Sequence, residues 1–178
     1  MEGAKTMTKF FTNSRYWTLA YVLLVLIASA GMARAQEGVS RMKVYAGYST
    51  LKPEYNDDYI HGVELEATPK ILSYERVRLE ATASLAGHFT TGGNNLQFMA
   101  GPQLSINLAH GRITPFVRAL FGTTYVYDTH IYTQSVGGGV DVNLGNYFVR
   151  PFQFDRQWLK GLYPITANRF GSGAGVRF

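Results

Sequence analysis

The chain has 178 residues, no cysteine and a formal net charge of +5. The lack of cysteine excludes disulfide frameworks, cysteine-based metal sites and thiol nucleophiles. Much of the basic excess lies before residue 36, so the charge gives little support for nucleic-acid binding by the rest of the chain.

Residues 1–35 have the three parts of a secretory signal peptide. Lys5, Lys9 and Arg15 precede an apolar run from Trp17 to Ala30, and Ala33-Arg34-Ala35 fits the small-x-small cleavage pattern. The apolar run is short for a helix that crosses a bilayer, which favours cleavage after residue 35 over an uncleaved anchor. We therefore expect one exported domain, residues 36–178, with a formal charge of about +2 by the same charge assignment.

After residue 36 the chain consists of short segments in which apolar and polar residues alternate. This is the period of a β-strand with one apolar face. The alternation is clearest at 96–108, where Leu96, Phe98 and Leu104 share one parity and Gln97 and Gln103 share the other. Eight strands are predicted, at 42–51, 60–68, 75–88, 96–108, 113–125, 131–144, 147–157 and 168–178. An even strand count is typical of bacterial outer-membrane barrels.

Charged residues fall on one parity of each regular strand, opposite to its Val, Leu and Phe residues. A basic side chain at mid-bilayer costs about 2–4 kcal/mol, and an open sheet edge cannot be satisfied in hydrocarbon. The pattern therefore predicts an all-β, eight-stranded antiparallel up-and-down transmembrane β-barrel with its charges in the lumen. The predicted lumen ion-pair network comprises Lys43, Glu64, Glu66, Arg76, Arg78, Glu80, Arg118, Asp141, Arg150 and Arg177.

Two local arrangements follow from this assignment. Arg76, Arg78 and Glu80 on strand three are expected to pair across to Glu64 and Glu66 on strand two. Asp141 and Arg150 flank the turn at 145–146 and are expected to pair inside the barrel.

Strand seven is the least regular, because Phe152 and Phe154 share the parity of Arg150. Two aromatic side chains would then point into the lumen. A β-bulge near Pro151 would instead turn the residues that follow it to the opposite face, and we favour that interpretation.

The connections after strands two, four and six are mostly short, whereas the others are longer or more polar. Short turns on one rim and longer loops on the other match periplasmic turns and outer loops, which predicts that both termini are periplasmic. The first long connection, 52–59, is acidic and contains two tyrosines. Aromatic residues gather toward both predicted rims, as in the girdles of membrane barrels.

Strand three also places Glu80, Ser84 and His88 on its inward parity. Residues four apart along a strand are separated by about 13 Å, so these three residues cannot form a hydrogen-bonded relay with one another. The histidines show no metal-ligand spacing. We therefore predict no catalytic residue, no cofactor and no metal site.

The chain resembles the small OmpA/OmpX-like bacterial outer-membrane β-barrels. The resemblance lies in four segments: 44–49, 137–142, 149–155 and the ending 173–178. It implies that Phe178, the C-terminal aromatic of an alternating last strand, is a signal read by the barrel-assembly machinery. OmpA itself carries a periplasmic peptidoglycan-binding domain after its barrel, and no such function is expected for a chain that ends at this residue.

The expected function is structural or interactive, in the bacterial outer membrane, with outer-membrane lipid and an outside partner of the loops as contacts. The eight-stranded interior is only wide enough for side chains, which favours a plugged lumen over a narrow pore for small solutes. A lipid-modifying enzyme is the second alternative. A soluble periplasmic barrel of lipocalin type, with its apolar face inward, is the third.

Overall fold

The structure is a computed structural model that describes residues 42–55, 57–90, 93–126, 129–161 and 164–178. The predicted signal peptide, residues 1–35, lies outside the described residues. Among the described residues, no helix has the length and apolar character required to cross a membrane.

Eight strands form one closed antiparallel barrel in which β1 pairs with both β2 and β8. The strands are β1 Met42–Pro53, β2 Ile60–Tyr74, β3 Val77–Thr90, β4 Gly93–Ile106, β5 Ile113–Val126, β6 Thr129–Leu144, β7 Tyr147–Lys160 and β8 Ile165–Arg177. A short 3-10 turn, Ala109–Gly111, lies between β4 and β5. The predicted fold class is confirmed, and each predicted strand overlaps an observed one.

The barrel has two rims, which we call the terminal end and the far end. The terminal end carries Met42, Phe178 and the connections 75–76, 107–112 and 145–146, and the Phe178 amide donates to the Met42 carbonyl at 2.9 Å. The far end carries the connections 54–59, 91–92, 127–128 and 161–164.

The predicted contrast in loop length is largely wrong, because strands continue into the predicted loops. Residues 69–74 belong to β2, and Glu75 makes the following turn with a positive φ of 49°. Only 54–59 and 161–164 separate strands at the far end by more than two residues. Loop length therefore does not distinguish the two ends.

Strand alternation gives the barrel an apolar exterior and a polar interior. Leu65, Phe98 and Val117 are exposed on the outer surface, whereas inward residues such as Glu64 and Gln97 are buried. This is the reverse of a lipocalin-type barrel, whose apolar residues line the cavity. Contact with hydrocarbon accounts for such a surface.

The expected bulge in strand seven is present. The pairing of β7 with β8 shifts register between Arg150 and Gln153, so Pro151 and Phe152 both face outward and Gln153 returns to the lumen. Proline has no amide hydrogen to donate to the ladder, which suits it to this irregular position.

Candidate functional site

The most distinctive feature of the barrel is a charged network that fills its interior. Its members come from seven of the eight strands, and each is at most 6% exposed. The network comprises the cations Lys43, Arg118, Arg150 and Arg169 and the carboxylates Glu64, Glu66, Glu80, Asp141 and Asp155. Burial of so many charges is tolerable only where each has an opposite partner.

Arg118 on β5 is the hub of the network. Its Nε and Nη2 lie 2.9 and 2.8 Å from the two carboxylate oxygens of Asp155, a two-pronged contact across the barrel. Its Nη1 also binds Glu66, and its Nη2 lies 3.7 Å from Glu64. One guanidinium therefore joins three carboxylates from two strands, which matches the fork geometry of arginine.

Arg150 on β7 extends the network toward the terminal end. Its Nη1 lies 2.5 Å from Glu66 Oε2 and its Nε lies 2.8 Å from Asp141 Oδ1. The guanidinium also lies over the rings of Tyr45 and Phe116, at 4.2 and 4.5 Å from their centroids. The lumen thus stabilises this cation by ion pairs and by cation–π contacts together.

The other two cations close the network. Arg169 lies 2.9 Å from both Glu64 and Asp155, and Lys43 lies 3.0 Å from Glu80 and 3.4 Å from Asp141. Neutral side chains also donate to these carboxylates: Ser84 donates to Glu64 at 2.7 Å, and Gln103 and Ser105 donate to Glu80 at 2.8 and 2.9 Å.

The structure places seven of the ten predicted lumen residues inside the barrel: Lys43, Glu64, Glu66, Glu80, Arg118, Asp141 and Arg150. Arg78 and Arg177 are only half-buried, at the terminal end. Arg177 donates to the Gly145 carbonyl. Arg78 donates to the Asn107 amide oxygen at 2.9 and 3.0 Å when that amide is oriented to suit its neighbours.

Two of the predictions are wrong. Arg76 is exposed in the turn that precedes β3, because the strand begins at Val77. The expected pairing of strand-three arginines with Glu64 and Glu66 is also absent, since the register sets Glu64 opposite Ala86 and Glu66 opposite Ser84. The Asp141–Arg150 pair is present as described above.

Asp155 and Arg169 belong to the network but were not predicted. A parity count from Arg150 sets Asp155 on the outer face, and the bulge at Pro151 reverses that count. Arg169 shares the inward parity of Gly171, so the alternation of strand eight was sufficient to predict that Arg169 faces the lumen.

A layer of uncharged polar side chains lies on the far-end side of the network. Gln97 exchanges hydrogen bonds with Gln157 at 3.0 Å, and Thr124 bonds with Thr133 at 2.7 Å. In the same layer, His88 Nε2 lies 2.9 Å from Ser49 Oγ.

The three inward residues of strand three have separate partners. Glu80 binds Lys43, Ser84 binds Glu64, and His88 binds Ser49. The Nδ1 atom of His88 has no partner among the described residues. The serine–histidine pair therefore lacks a carboxylate behind the imidazole, the third member of a hydrolase triad.

Aliphatic side chains line part of the lumen at the far end, beyond the polar layer. This apolar cap consists of the buried residues Leu51, Leu159 and Ala167, against which Ile60, Ile131 and Ile165 pack. This cap was not predicted from the sequence. Along the barrel the interior thus passes from charged to polar to apolar.

No family model matches the chain, and no curated protein matches it. Among solved structures, the barrel is similar to Ail, the attachment invasion locus protein of Yersinia pestis, with a TM-score of 0.51 and 12% identity over 78% of this chain and 97% of that one. It is also similar to the outer membrane enzyme PagL, with a TM-score of 0.51 and 12% identity over 76% of this chain and 99% of that one. At this identity the likeness is one of fold. The fold is that of the small outer-membrane β-barrels.

Proposed function

We propose that this chain is an outer-membrane protein whose sealed barrel is a rigid, non-conducting anchor for a surface loop that contacts an outside partner. The observation that carries this proposal is the charged network, in which cations and carboxylates from opposite walls occupy the interior. An anchor of this kind needs a closed wall and a filled lumen, and needs no chemistry inside.

The contents of the lumen support a non-conducting barrel. Passage of an ion would require the contacts of Arg118 with Glu66 and Asp155 to open, and these side chains are fully buried. We expect the apolar cap to add a second barrier, since aliphatic constrictions exclude water.

The connection 54–59 supports the surface role. Its base is held by the Arg156–Glu54 pair at 2.6 Å and by the Glu54 amide, which donates to the Thr166 carbonyl at 2.9 Å. Beyond this base, Tyr55 is 72% exposed and the Asp57 side chain is fully exposed. A fixed base with exposed acidic and aromatic side chains suits recognition of another molecule.

Cysteine labelling on intact cells tests the proposed display, because the chain has no native cysteine. We expect a membrane-impermeant maleimide to label Asp57→Cys on intact cells and the matched control Asn146→Cys only after permeabilisation. Labelling of the control alone on intact cells would reverse the orientation and refute the display of 54–59.

Planar-bilayer recording tests the sealed lumen. We expect no discrete conductance steps from the purified barrel, since the buried ion pairs must break before an ion can pass. Reproducible steps from the native protein would favour the narrow-pore alternative.

Mass spectrometry of lipid A tests the alternative that the protein is a lipid-modifying enzyme. The contact between Ser49 and His88 is the observation that makes this test necessary. We expect identical spectra from cells with and without the protein. A missing acyl chain that returns in the Ser49→Ala variant would establish lipid modification and overturn the anchor role.

A further inference from the structure

The two rims of the barrel differ in charge. Among the described residues, the terminal end carries five basic residues and one acidic residue: Lys70, Arg76, Arg78, Arg112 and Arg177, with Glu75. The far end carries three of each: Lys52, Arg156 and Lys160, with Glu54, Asp57 and Asp58. The terminal end is therefore the basic end of the barrel.

The basic residues also differ in how they are paired. At the far end, Arg156 and Lys52 lie 2.6 and 3.4 Å from carboxylate oxygens. At the terminal end, Arg76 and Arg112 are exposed, and neither forms an ion pair with a carboxylate in the part of the chain that the structure describes. Their charge is thus available to a partner outside the chain.

Arg76 and Arg112 lie in adjacent connections. The Asn107 amide donates to the Arg76 carbonyl at 2.8 Å, which joins the turn after β2 to the end of β4. The Leu108 amide donates to the Ile113 carbonyl at 2.8 Å and closes the hairpin that contains Arg112. Arg76 and Arg112 therefore lie in neighbouring connections of the same rim.

Both arginines border the apolar outer surface. Arg76 follows the exposed Tyr74, and Arg112 precedes the exposed Ile113 in the same hairpin as Leu108. Aromatic side chains of membrane barrels lie at the headgroup level, and lipid phosphates lie at the same interface.

We propose that Arg76 and Arg112 form a binding site for the phosphates of anionic phospholipids at the terminal end of the barrel. A guanidinium group presents a planar set of donors that matches a phosphate, and basic residues at a membrane surface attract anionic lipid. This inference rests on the barrel being embedded in a membrane, as the proposed function requires. It does not depend on which rim faces outward.

Native mass spectrometry of the full barrel from nanodiscs tests the site. The nanodiscs contain equal amounts of phosphatidylglycerol and phosphatidylcholine, and the lipids retained by the released protein are counted. We expect the native barrel to retain phosphatidylglycerol preferentially, and Arg76→Gln with Arg112→Gln to reduce that preference by about fivefold per arginine. The control, Arg156→Gln with Lys160→Gln, removes the same charge from the far end and should retain the native preference.

Three results would overturn the proposal: no preference in the native barrel, an equal loss in both double variants, or peptidoglycan sacculi that bind the lipid-free barrel through the same two arginines. The last result would assign the rim to a cell-wall polymer. A heat-modifiability gel shows in parallel that each variant is folded. Because nanodiscs expose both leaflets, failure here is distinguishable from failure of loop display or of lumen sealing.

Discussion

Replacement of Arg118 by methionine is the sharpest test of the charged network. Methionine keeps most of the side-chain length and removes the guanidinium. The change eliminates the two-pronged contact with Asp155 and the contact with Glu66, and leaves each carboxylate with one cation, Arg169 or Arg150 respectively.

The expected cost follows from the charge balance. Four cations face five carboxylates in the native network, so the variant leaves three cations for five carboxylates. Removal of one partner from a buried pair typically costs about 3–5 kcal/mol. Adding Asp155→Asn restores the native net charge, and we expect it to recover at least half of that loss.

Urea unfolding of the barrel in lipid vesicles measures the effect. Trp158 is the only tryptophan after residue 35 and serves as the fluorescence probe. With an m-value of about 2 kcal/mol/M, the midpoint should fall by about 1.5–2.5 M. The matched control Arg156→Met breaks an exposed pair and should cost about 1 kcal/mol or less. Equal midpoints for the two single variants would refute the reasoning.

Two further predictions concern β8 and its end. A methyl group on Gly175 would overlap the Phe148 ring, so Gly175→Ala should lower the free energy of unfolding by about 1–3 kcal/mol in the same assay. The control is Gly171→Ala, where the nearest atom to the new methyl group would lie 3.5 Å away, and this change should leave the free energy of unfolding unchanged. Phe178 is the expected signal for the barrel-assembly machinery, so Phe178→Ala should lower the amount of folded barrel recovered from cells. Because Phe178 is exposed, the same change should leave the stability of the refolded protein unchanged. A lower stability of the refolded protein would instead assign Phe178 a packing role.

The fold was predictable because strand alternation is local. Inward and outward faces are set by parity within each strand, as in β3, where Glu80 and Ser84 point inward and Leu79 points outward. The bulge in β7 was predictable for the same reason: a conflict of parity next to Pro151 has few structural solutions.

Apart from the Asp141–Arg150 pair, the pairing inside the lumen was not predictable, because it depends on contacts across the barrel. Glu66 binds Arg118 and Arg150, which are 52 and 84 residues away in sequence, and none of these contacts is between directly opposed strand neighbours. Rules for cross-strand pairing consider adjacent strands only, so they predicted that Glu66 pairs with residues of strand three. Closure and register determine which distant walls face each other.

At the apolar cap, the inward-facing residues of the strands change from polar or charged to aliphatic. Leu51, Leu159 and Ala167 lie on the inward parity of strands whose other inward residues are polar or charged, such as Ser49 and Arg169. The outward positions at this end include Lys52, Lys160 and Thr166.

A barrel that extends beyond the bilayer would account for aliphatic residues that face inward at this end. Within hydrocarbon the apolar residues gain nothing by facing inward, because lipid is as apolar as a protein core. Beyond the hydrocarbon the surroundings are water, and aliphatic side chains are stabilised by burial inside the barrel, at about 25 cal/mol per Å². We therefore expect the wall at the level of Leu51 and Leu159 to stand in water, where the barrel has apolar residues inside and polar residues outside, as a soluble protein does.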